Sequence, residues 1–328
     1  MTAATETTFA AVVIGRNEGE RLRNSLTSLK GQVERIVYVD SGSRDDSVSM
    51  ARGMGVEVVE LDRSRPFTAA RGRNAGFAAL KAQGLPDYVQ FIDGDCGLAP
   101  GWIAAARAAL DQNPDLGLVT GWRSEVAREA SVYNQMADVE WHRPAGDILA
   151  CGGDMMVRSA AFEAVGGFDP SVIAAEDDEF CVRLRGKGFR LHRLPLAMTF
   201  HDADMMRFSQ FWQRNVRSGH GFFDVGSKHP DHFRAERRRV WQYAIALPIL
   251  VLSAAFVPVW LSLLALLAFM GLGWMRTFRG FHATGQPKAE AGHHAVYYTL
   301  AKLPQLQGMI TYYWRRLRGR AAELIEYK

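Results

Sequence analysis

The sequence predicts an α/β domain built on a mostly parallel central sheet, followed by membrane-associated helices. Up to about residue 201, short apolar runs alternate with amphipathic stretches, which is the pattern of strands connected by helices. Beyond that point, no charged residue lies between Arg239 and Arg276. This uncharged stretch is longer than the roughly 20 residues that a helix needs to cross a bilayer.

The composition is that of a large globular chain in a reducing compartment. With 328 residues, 48% of them hydrophobic, the chain can fill a substantial core, which excludes a disordered chain and a small disulfide scaffold. Cys96, Cys151 and Cys181 are far apart in sequence, so we expect neither a disulfide framework nor a cysteine zinc site. The formal charge is only +4, and we expect no nucleic-acid partner.

Five apolar runs in the first half are predicted to be strands. They are Ala10–Ile14, Arg35–Asp40, Val56–Leu61, Tyr88–Ile92 and Leu116–Thr120. Between them, Leu22, Leu26 and Leu29 have the spacing of one helix, and Phe77 and Leu80 mark the buried face of another.

Four segments are expected along the chain. They are the α/β domain (1–205), an amphipathic and basic juxtamembrane linker (206–240), a membrane hairpin or one long membrane helix (241–276), and an interfacial helical tail (277–328). Met1–Thr8 lacks the apolar core of a signal peptide, so we expect the α/β domain to stay in the cytoplasm.

The apolar stretch Ala244–Met275 would be about 48 Å long as one straight helix, against a hydrocarbon core of roughly 30 Å. Two complete crossings would need about 40 residues, so a hairpin would be short or re-entrant, with its bend at Pro258. Arginines flank both ends, and basic residues favour the cytoplasmic side. A hairpin keeps both flanks on that side and is therefore favoured over a single crossing.

The segment Val296–Trp314 is aromatic and apolar but is interrupted by polar residues, and arginines follow it. This composition suits a helix that lies among lipid headgroups. A helix packed back on the α/β domain is nearly as well supported.

Acidic residues lie where two predicted strands end. Asp40 ends one strand and Asp93-Gly94-Asp95 ends another, so these carboxylates should meet at one edge of the sheet. Two carboxylates beside a tight turn can hold a divalent cation against a diphosphate. An ordinary turn is the alternative, but the strand-end position favours a site.

Arg71 and Arg73 begin a predicted helix, where two guanidinium groups and the positive end of the helix could neutralise phosphate oxygens. A solvated basic face is the alternative. The segment Gly15–Glu18 lacks the glycine and lysine spacing of a P-loop or a dinucleotide fingerprint, which disfavours NTPases and NAD enzymes.

Four acids, Glu176-Asp177-Asp178-Glu179, begin another predicted helix. The helix dipole alone could explain them. Their mutual repulsion, however, raises the proton affinity of some of them and could provide a general base near neutral pH. Farther on, His201 could complete a metal site or be a packed histidine.

Six motifs occur in a characteristic order. They are Val12-Val13-Ile14-Gly15-Arg16-Asn17-Glu18, Val39-Asp40-Ser41-Gly42-Ser43, Arg73-Asn74-Ala75-Gly76, Asp93-Gly94-Asp95, Gly166-Gly167-Phe168-Asp169 and Glu176-Asp177. Through these six motifs the sequence resembles the family-two inverting glycosyltransferases, which have the A-type nucleotide-sugar fold. The apolar tail resembles that of membrane-associated bacterial members of the family. The resemblance implies a catalytic domain on the cytoplasmic face of the inner membrane and a role in envelope or exopolysaccharide assembly.

The resemblance also implies roles for individual residues. Asp177 would be the catalytic base, with Glu176 and Glu179 as supporting acids. Manganese or magnesium would be bound mainly by Asp95, and the full ligand set would be Asp93, Asp95 and His201. A nucleoside-diphosphate sugar would be bound by seven residues, with Asp40 at the nucleobase and Arg73 at the diphosphate. They are Ile14, Arg16, Asp40, Arg73, Asp93, Gly153 and Asp154.

The expected reaction is transfer of a single sugar, because Gln213–Ser218 only partly matches the Gln-x-x-Arg-Trp element of processive synthases. The membrane tail favours a lipid-linked or saccharide acceptor close to membrane lipid. Two other functions remain open. One is a sugar nucleotidyltransferase, whose glycine-rich, lysine-containing loop is missing here, and the other is a non-catalytic membrane scaffold that retains the fold.

Overall fold

The computed structural model describes residues 8–319, which divide into two compact units at the junction of Asp204 and Met205. Strands and helices alternate in the first unit. Its strands are β1 Phe9–Gly15, β2 Arg35–Asp40, β3 Glu57–Glu60, β4 Tyr88–Asp93, β5 Cys96–Leu98, β6 Leu116–Glu125, β7 Gly146–Asp147, β8 Met155–Arg158 and β9 Arg190–His201. Its helices are α1 Glu20–Leu29, α2 Ser47–Gly53, α3 Ala69–Ala82, α4 Trp102–Gln112, α5 Val132–Trp141, α6 Ser159–Ala164 and α7 Glu176–Gly186.

In the described part of the chain these strands form one sheet, in the order β3-β2-β1-β4-β8-β6-β9-β5, with β7 paired to β9. The neighbours among β3, β2, β1 and β4 are parallel, as predicted. β8 runs antiparallel to β4 and β6, so the other half of the sheet is mixed. The prediction of an α/β domain is confirmed. The predicted parallel arrangement holds for β3, β2, β1 and β4.

Both faces of the sheet are buried. Ala10, Val12 and Ile14 of β1 belong to the core cluster under α3 and α7, whereas Ala11 and Val13 belong to the cluster under α1 and α4. Burial on both faces explains why these strands are continuous apolar runs in the sequence. The predicted inner faces of α1 and α3 are buried in the same two clusters.

Four strands were not predicted, namely β5, β7, β8 and β9. β5, β7 and β8 are only two to four residues long, too short for a periodic signal. β9 is long, but His192, Arg193 and Pro195 interrupt it, and a proline argues against a strand in sequence-based assignment.

The second unit is helical throughout its described residues. Its helices are α8 Phe208–Lys228, α9 Arg234–Ser253, α10 Val259–Ala283, α11 Lys288–Leu300 and α12 Lys302–Leu317. α8 and α12 pack closely through two glycines. A Cβ atom on Gly219 would lie 2.2 Å from the carbonyl oxygen of Gln305, and one on Gly308 would lie 2.2 Å from that of Val216.

The long uncharged stretch forms two helices rather than one. α9 ends at Ser253 and α10 begins at Val259, directly after Pro258. The two helices are antiparallel, since the hydroxyl oxygens of Ser253 and Ser262 lie 2.7 Å apart and the ring of Tyr243 packs on Phe269 at 4.8 Å. By length and composition α10 could cross a bilayer, and only 6% of its most apolar window is buried. The membrane assignments of segments 206–240, 241–276 and 277–328 stay predictions.

The predicted segment Val296–Trp314 divides at Ala301, between α11 and α12. α12 buries one face on α8, where Gln305 donates a hydrogen bond to Asn215 at 3.1 Å. Its opposite face, with Trp314, stays exposed. The helix therefore packs within the helical unit and keeps one face exposed, and its position among lipid headgroups stays a prediction. The end of the predicted tail, from residue 320, lies outside the described residues.

Candidate active site

The carboxyl ends of β1, β2 and β4 lie together at one edge of the sheet. In the registers of β1 with its two neighbours, Gly15 is paired with Asp40 and Ile14 with Asp93. The amide of Gly94 donates a hydrogen bond to the carbonyl oxygen of Ile14 at 2.8 Å, and a Cβ atom at position 94 would lie 3.1 Å from that oxygen. The predicted shared edge is confirmed, and the backbone of Ile14 fixes the turn of the Asp-Gly-Asp motif.

The side chain of Arg73, on α3, lies at the centre of the site. It is only 3% exposed and binds two carboxylates, Glu176 at 2.8 Å and Asp93 at 2.9 Å. Burial opposes its charge, but Asp93 and Glu176 hold the pKa of the Arg73 guanidinium above its ordinary value. A Cβ atom on Gly153 would lie 2.0 Å from Nη2 of Arg73, so this side chain needs a glycine there. The contact of Arg73 with a diphosphate stays a prediction, since its guanidinium here positions two carboxylates.

A second arginine extends this network to the other side of Asp93. Arg123 lies 3.3 Å from Asp93 and 2.8 Å from Asp154. Acidic and basic side chains therefore alternate in a row, which we call the charge row. It consists of Glu176, Arg73, Asp93, Arg123 and Asp154. Arg123 was not predicted as a site residue, because β6 continues past its predicted end at residue 120.

Asp154 is fully engaged within the protein. It is 1% exposed, accepts hydrogen bonds from the amide of Asp93 at 3.0 Å and the hydroxyl of Thr199 at 2.7 Å, and pairs with Arg123. These contacts join β4, β8 and β9 beneath the site. These are the contacts of a structural anchor, and the expected place of Asp154 in the donor-sugar site stays a prediction.

Asp177 lies at the start of α7, one residue after the carboxylate that binds Arg73. Burial, together with the negative charges of Glu176 and Asp178, raises the pKa of the Asp177 carboxyl well above its ordinary value, although Arg73 opposes the shift. The helix begins after Ala175, whose φ of +60° is a left-handed conformation that non-glycine residues rarely adopt. A carboxylate with this raised proton affinity suits a general base.

Glu179 was expected to support Asp177 as the catalytic base, and this role stays a prediction. Its carboxylate pairs with Arg183 at 2.6 Å, and Arg183 also donates to the carbonyl oxygens of Val165 and Gly167. Glu179 thus helps to hold the Gly166–Asp169 turn. The reason is the helical spacing of four residues between Glu179 and Arg183, which favours an ion pair along the helix.

Asp95 and His201 come together as predicted for a metal site. Nε2 of His201 lies 3.4 Å from Oδ2 of Asp95, and donor atoms of Asp95, Cys96 and His201 all lie within 4.8 Å of one another. Burial lowers the pKa of His201, although Glu125 opposes the shift, and this direction favours the neutral ring that a metal ligand requires. A carboxylate and a neutral imidazole fit a divalent cation such as manganese.

Asp93 was predicted to share this metal, but it belongs to a different group. Its donor atoms cluster with those of Cys96 and Asp154, and the Arg123 guanidinium lies against both carboxylates. A guanidinium in that position opposes a second cation by charge repulsion. Asp93 therefore orients the arginines in this structure, and its role as a ligand stays a prediction.

Asp40 shapes the turn after β2. It is 1% exposed and accepts hydrogen bonds from the amides of Gly42 at 2.8 Å and Ser43 at 2.9 Å and from the Tyr38 hydroxyl at 2.9 Å. Phe67 packs against this turn, and the guanidinium carbon of Arg16 lies 5.9 Å from the centre of the Phe67 ring. Asp40 and Arg16 thus border the same strand end, and their contacts with a nucleobase stay predictions.

The comparisons with known proteins agree with this geometry. Residues 11–150 match the model of "Glycosyl transferase family 2". The pre-mycofactocin glycosyltransferase of Mycobacterium tuberculosis is 29% identical over 238 residues, which cover 67% of this chain and 48% of that protein. The chain thus spans about half the length of this curated relative.

Two solved structures are similar to the whole fold. The mannosyltransferase PcManGT from Pyrobaculum calidifontis, in complex with GDP-Man and Mn2+, has a TM-score of 0.63 at 17% identity, covering 95% of this chain and 89% of that one. Residues 1–349 of S. aureus TarS have a TM-score of 0.50 at 15% identity, covering 96% and 92%. Residues 11–150 therefore match a glycosyl transferase family 2 domain, and the chain has the A-type fold of its structural neighbours.

Proposed function

We propose that the protein transfers a single sugar from a nucleoside-diphosphate sugar to an acceptor hydroxyl, with inversion at the anomeric carbon and with a divalent metal. The observation that carries this proposal is the charge row, which links the residue beside Asp177 to the Asp-Gly-Asp turn. A proton acceptor and a candidate cation site are thereby held at one end of the sheet. The similar mannosyltransferase binds GDP-Man and Mn2+, which supports the donor class and the metal.

The proposed chemistry is one displacement. The acceptor oxygen bonds to the anomeric carbon while its proton passes to the carboxylate of Asp177, and the bond from that carbon to the diphosphate oxygen breaks on the opposite face. One displacement inverts the configuration. A metal held by Asp95 and His201 would supply positive charge for the departing diphosphate. Arg73 binds both Glu176 and Asp93. It thereby fixes the position of the base Asp177, which follows Glu176, relative to the Asp-Gly-Asp turn.

The identity of the product tests the reaction. We expect the released product to be a nucleoside diphosphate and the new glycosidic bond to have inverted configuration. Pyrophosphate release would instead support a nucleotidyltransferase. A screen of UDP-, GDP- and TDP-sugars with Mn2+ would identify the donor, because the bound donor raises the melting temperature of the protein by mass action.

Two substitutions in one helical turn test the base. Asp177→Asn should lower kcat by about 10²- to 10⁴-fold, as expected for loss of a general base. Asp178→Asn removes a neighbouring carboxylate of the same kind and should retain most of the activity. If Asp177→Asn left turnover unchanged, the non-catalytic scaffold would become the better interpretation.

We propose further that the acceptor is linked to the membrane, with the first unit on the cytoplasmic side of a bacterial inner membrane. The apolar part of α9, Ala244–Ser253, is about 15 Å long, half of a hydrocarbon core of roughly 30 Å. A hairpin of α9 and α10 would therefore enter and leave on one side, which keeps Arg239 and Arg276 on that side. Comparable kcat/KM values on lipid-linked acceptors and on their water-soluble analogues would argue against the membrane-linked acceptor.

A further inference from the structure

We propose that Glu125 is a positioning residue that fixes the orientation and the proton position of the His201 imidazole for metal binding. This inference rests on the proposed metal site of Asp95 and His201. Glu125 ends β6, and its side chain has no exposed surface. It is a buried carboxylate directly behind the imidazole, on the side away from Asp95.

The surroundings of Glu125 consist of hydrogen-bond donors. Oε2 accepts from the amide of Ala203 at 3.0 Å, and Oε1 accepts from the amide of Ala127 at 3.1 Å and from Nδ2 of Asn134 at 3.5 Å. Nδ1 of His201 lies 3.4 Å from Oε2. A carboxylate only accepts, so it satisfies all of these groups at once.

The proton position on His201 follows from these contacts and the proposed cation. Both ring nitrogens face a carboxylate oxygen at 3.4 Å, Nδ1 that of Glu125 and Nε2 that of Asp95. A cation held by Asp95 and Nε2 would need the lone pair of Nε2, so in the metal-bound site Nδ1 carries the proton and donates it to Glu125. In a neutral imidazole the other nitrogen is then the acceptor. That nitrogen, Nε2, faces Asp95 at 3.4 Å, where the cation is proposed to bind. The edge of the ring also packs on Trp141, with ring centres 4.7 Å apart, which limits rotation.

Glutamine at position 125 would preserve the size of the side chain but not this pattern. Its amide nitrogen has to replace one of two accepting oxygens. At the Oε2 position it would face the amide of Ala203 and would favour a His201 tautomer with the proton on Nε2, which blocks metal binding. Carboxylate partners of metal-binding histidines typically contribute about 10- to 100-fold to metal affinity.

The test is the dissociation constant for Mn2+, measured by electron paramagnetic resonance on the full chain without donor sugar. We expect Glu125→Gln to weaken Mn2+ binding by about 10- to 100-fold. The matched control is Glu129→Gln, which removes an exposed carboxylate in the next turn, paired with Arg128, and should bind Mn2+ as the wild type does. In the double variant with His201→Ala, the Glu125 substitution should add little, because its effect passes through the imidazole.

Different outcomes separate this inference from the proposed metal site. Full additivity of the two substitutions, or wild-type Mn2+ binding by Glu125→Gln when His201→Ala is weakened, would overturn the role of Glu125 alone. Wild-type Mn2+ binding by both Asp95→Asn and His201→Ala would overturn the metal site itself, and this inference with it.

A measurement on the unmodified chain avoids dependence on the folding of Glu125→Gln. With 15N-labelled histidine, the nitrogen chemical shifts distinguish the two tautomers, and His201→Ala identifies the His201 signals. We expect the proton on Nδ1 when Mg2+, a diamagnetic cation, is added at saturating concentration. A proton on Nε2 of a neutral ring would refute the assignment.

Discussion

The carboxyl of Asp177 is held less acidic than an exposed aspartate by burial and by its two acidic neighbours. As the proposed base it acts in the deprotonated form, so kcat/KM should rise with pH through this raised pKa. Removing the negative charge of Asp178 lowers that pKa, and Asp178→Asn should therefore move the rising limb of the pH profile to lower pH. A limb that stays in place would contradict Asp177 as its source.

The same raised pKa has a consequence for stability. Between its unfolded and folded pKa values, Asp177 binds more protons in the folded state, so the folded protein loses stability as pH rises through that interval. At pH 7 this cost is present in the wild type and absent from Asp177→Asn. The variant should melt at a higher temperature than the wild type at pH 7, and the difference should shrink toward pH 4. Equal melting temperatures at pH 7 would speak against a raised pKa.

Gly153 and Gly152 form a matched pair for testing the packing around Arg73. A Cβ atom on Gly153 would collide with the Arg73 guanidinium, whereas one on Gly152 would lie 3.9 Å from Asp177, an ordinary contact. We expect Gly153→Ala to destabilise the protein by about 1–3 kcal/mol and to reduce turnover, and Gly152→Ala to change stability far less. Thermal unfolding of both variants is the measurement, and equal effects would exclude the guanidinium as the cause.

Sequence reasoning located the acidic residues of the site but not their partners. Asp40, Asp93 and Asp95 could be found because they end apolar strands, and Asp177 because it begins a helix after a recognisable motif. The ion pairs of Arg73 join residues about 20 and 100 positions apart, and no local pattern encodes such a distance. Arg123 and Glu125 were missed for another reason, since the end of β6 is too polar to read as a strand.

At the scale of elements, the crossing of α8 and α12 depends on two glycines that bring the helix backbones together. Gly219→Ala should therefore force the helices apart and lower the unfolding temperature of the helical unit, whereas Gly280→Ala on α10, where no atom lies within 4 Å of the new Cβ, should be neutral or slightly stabilising. Circular dichroism on heating compares the two. A loss as large in Gly280→Ala would mean that helix flexibility, not the crossing, is responsible.

The elements also show where sequence patterns are informative. Strands buried on both faces were predicted with nearly correct bounds, apart from the end of β6, and the buried faces of α1 and α3 were identified, because burial dictates their residue types. The packing of α12 on α8 could not be predicted. It rests on the shape of two glycine surfaces and on one buried amide pair, and neither produces a hydrophobic period.

For the whole molecule, the hairpin of α9 and α10 is the feature on which the proposed membrane location rests. Phe256 and Trp260, near its bend, are 87% and 60% exposed. Glutamate in place of both should abolish co-flotation with vesicles that contain anionic lipid, because charged groups are costly in the hydrocarbon region. Leu85→Glu, a control on the first unit, should leave flotation unchanged. Flotation of the double variant at wild-type levels would exclude insertion of the bend.

The charge row should also limit how the substrate preference of this protein can evolve. Its two arginines lie between its three carboxylates, so removing the charge of a single member leaves a neighbouring charge with one ion-pair partner fewer, at a cost of several kcal/mol where that charge is buried. The distance between the proposed proton acceptor, Asp177, and the proposed cation site is therefore difficult to change by single mutations. Diversification toward new donors or acceptors should accumulate in the surrounding loops, while the spacing of the reactive groups stays constant.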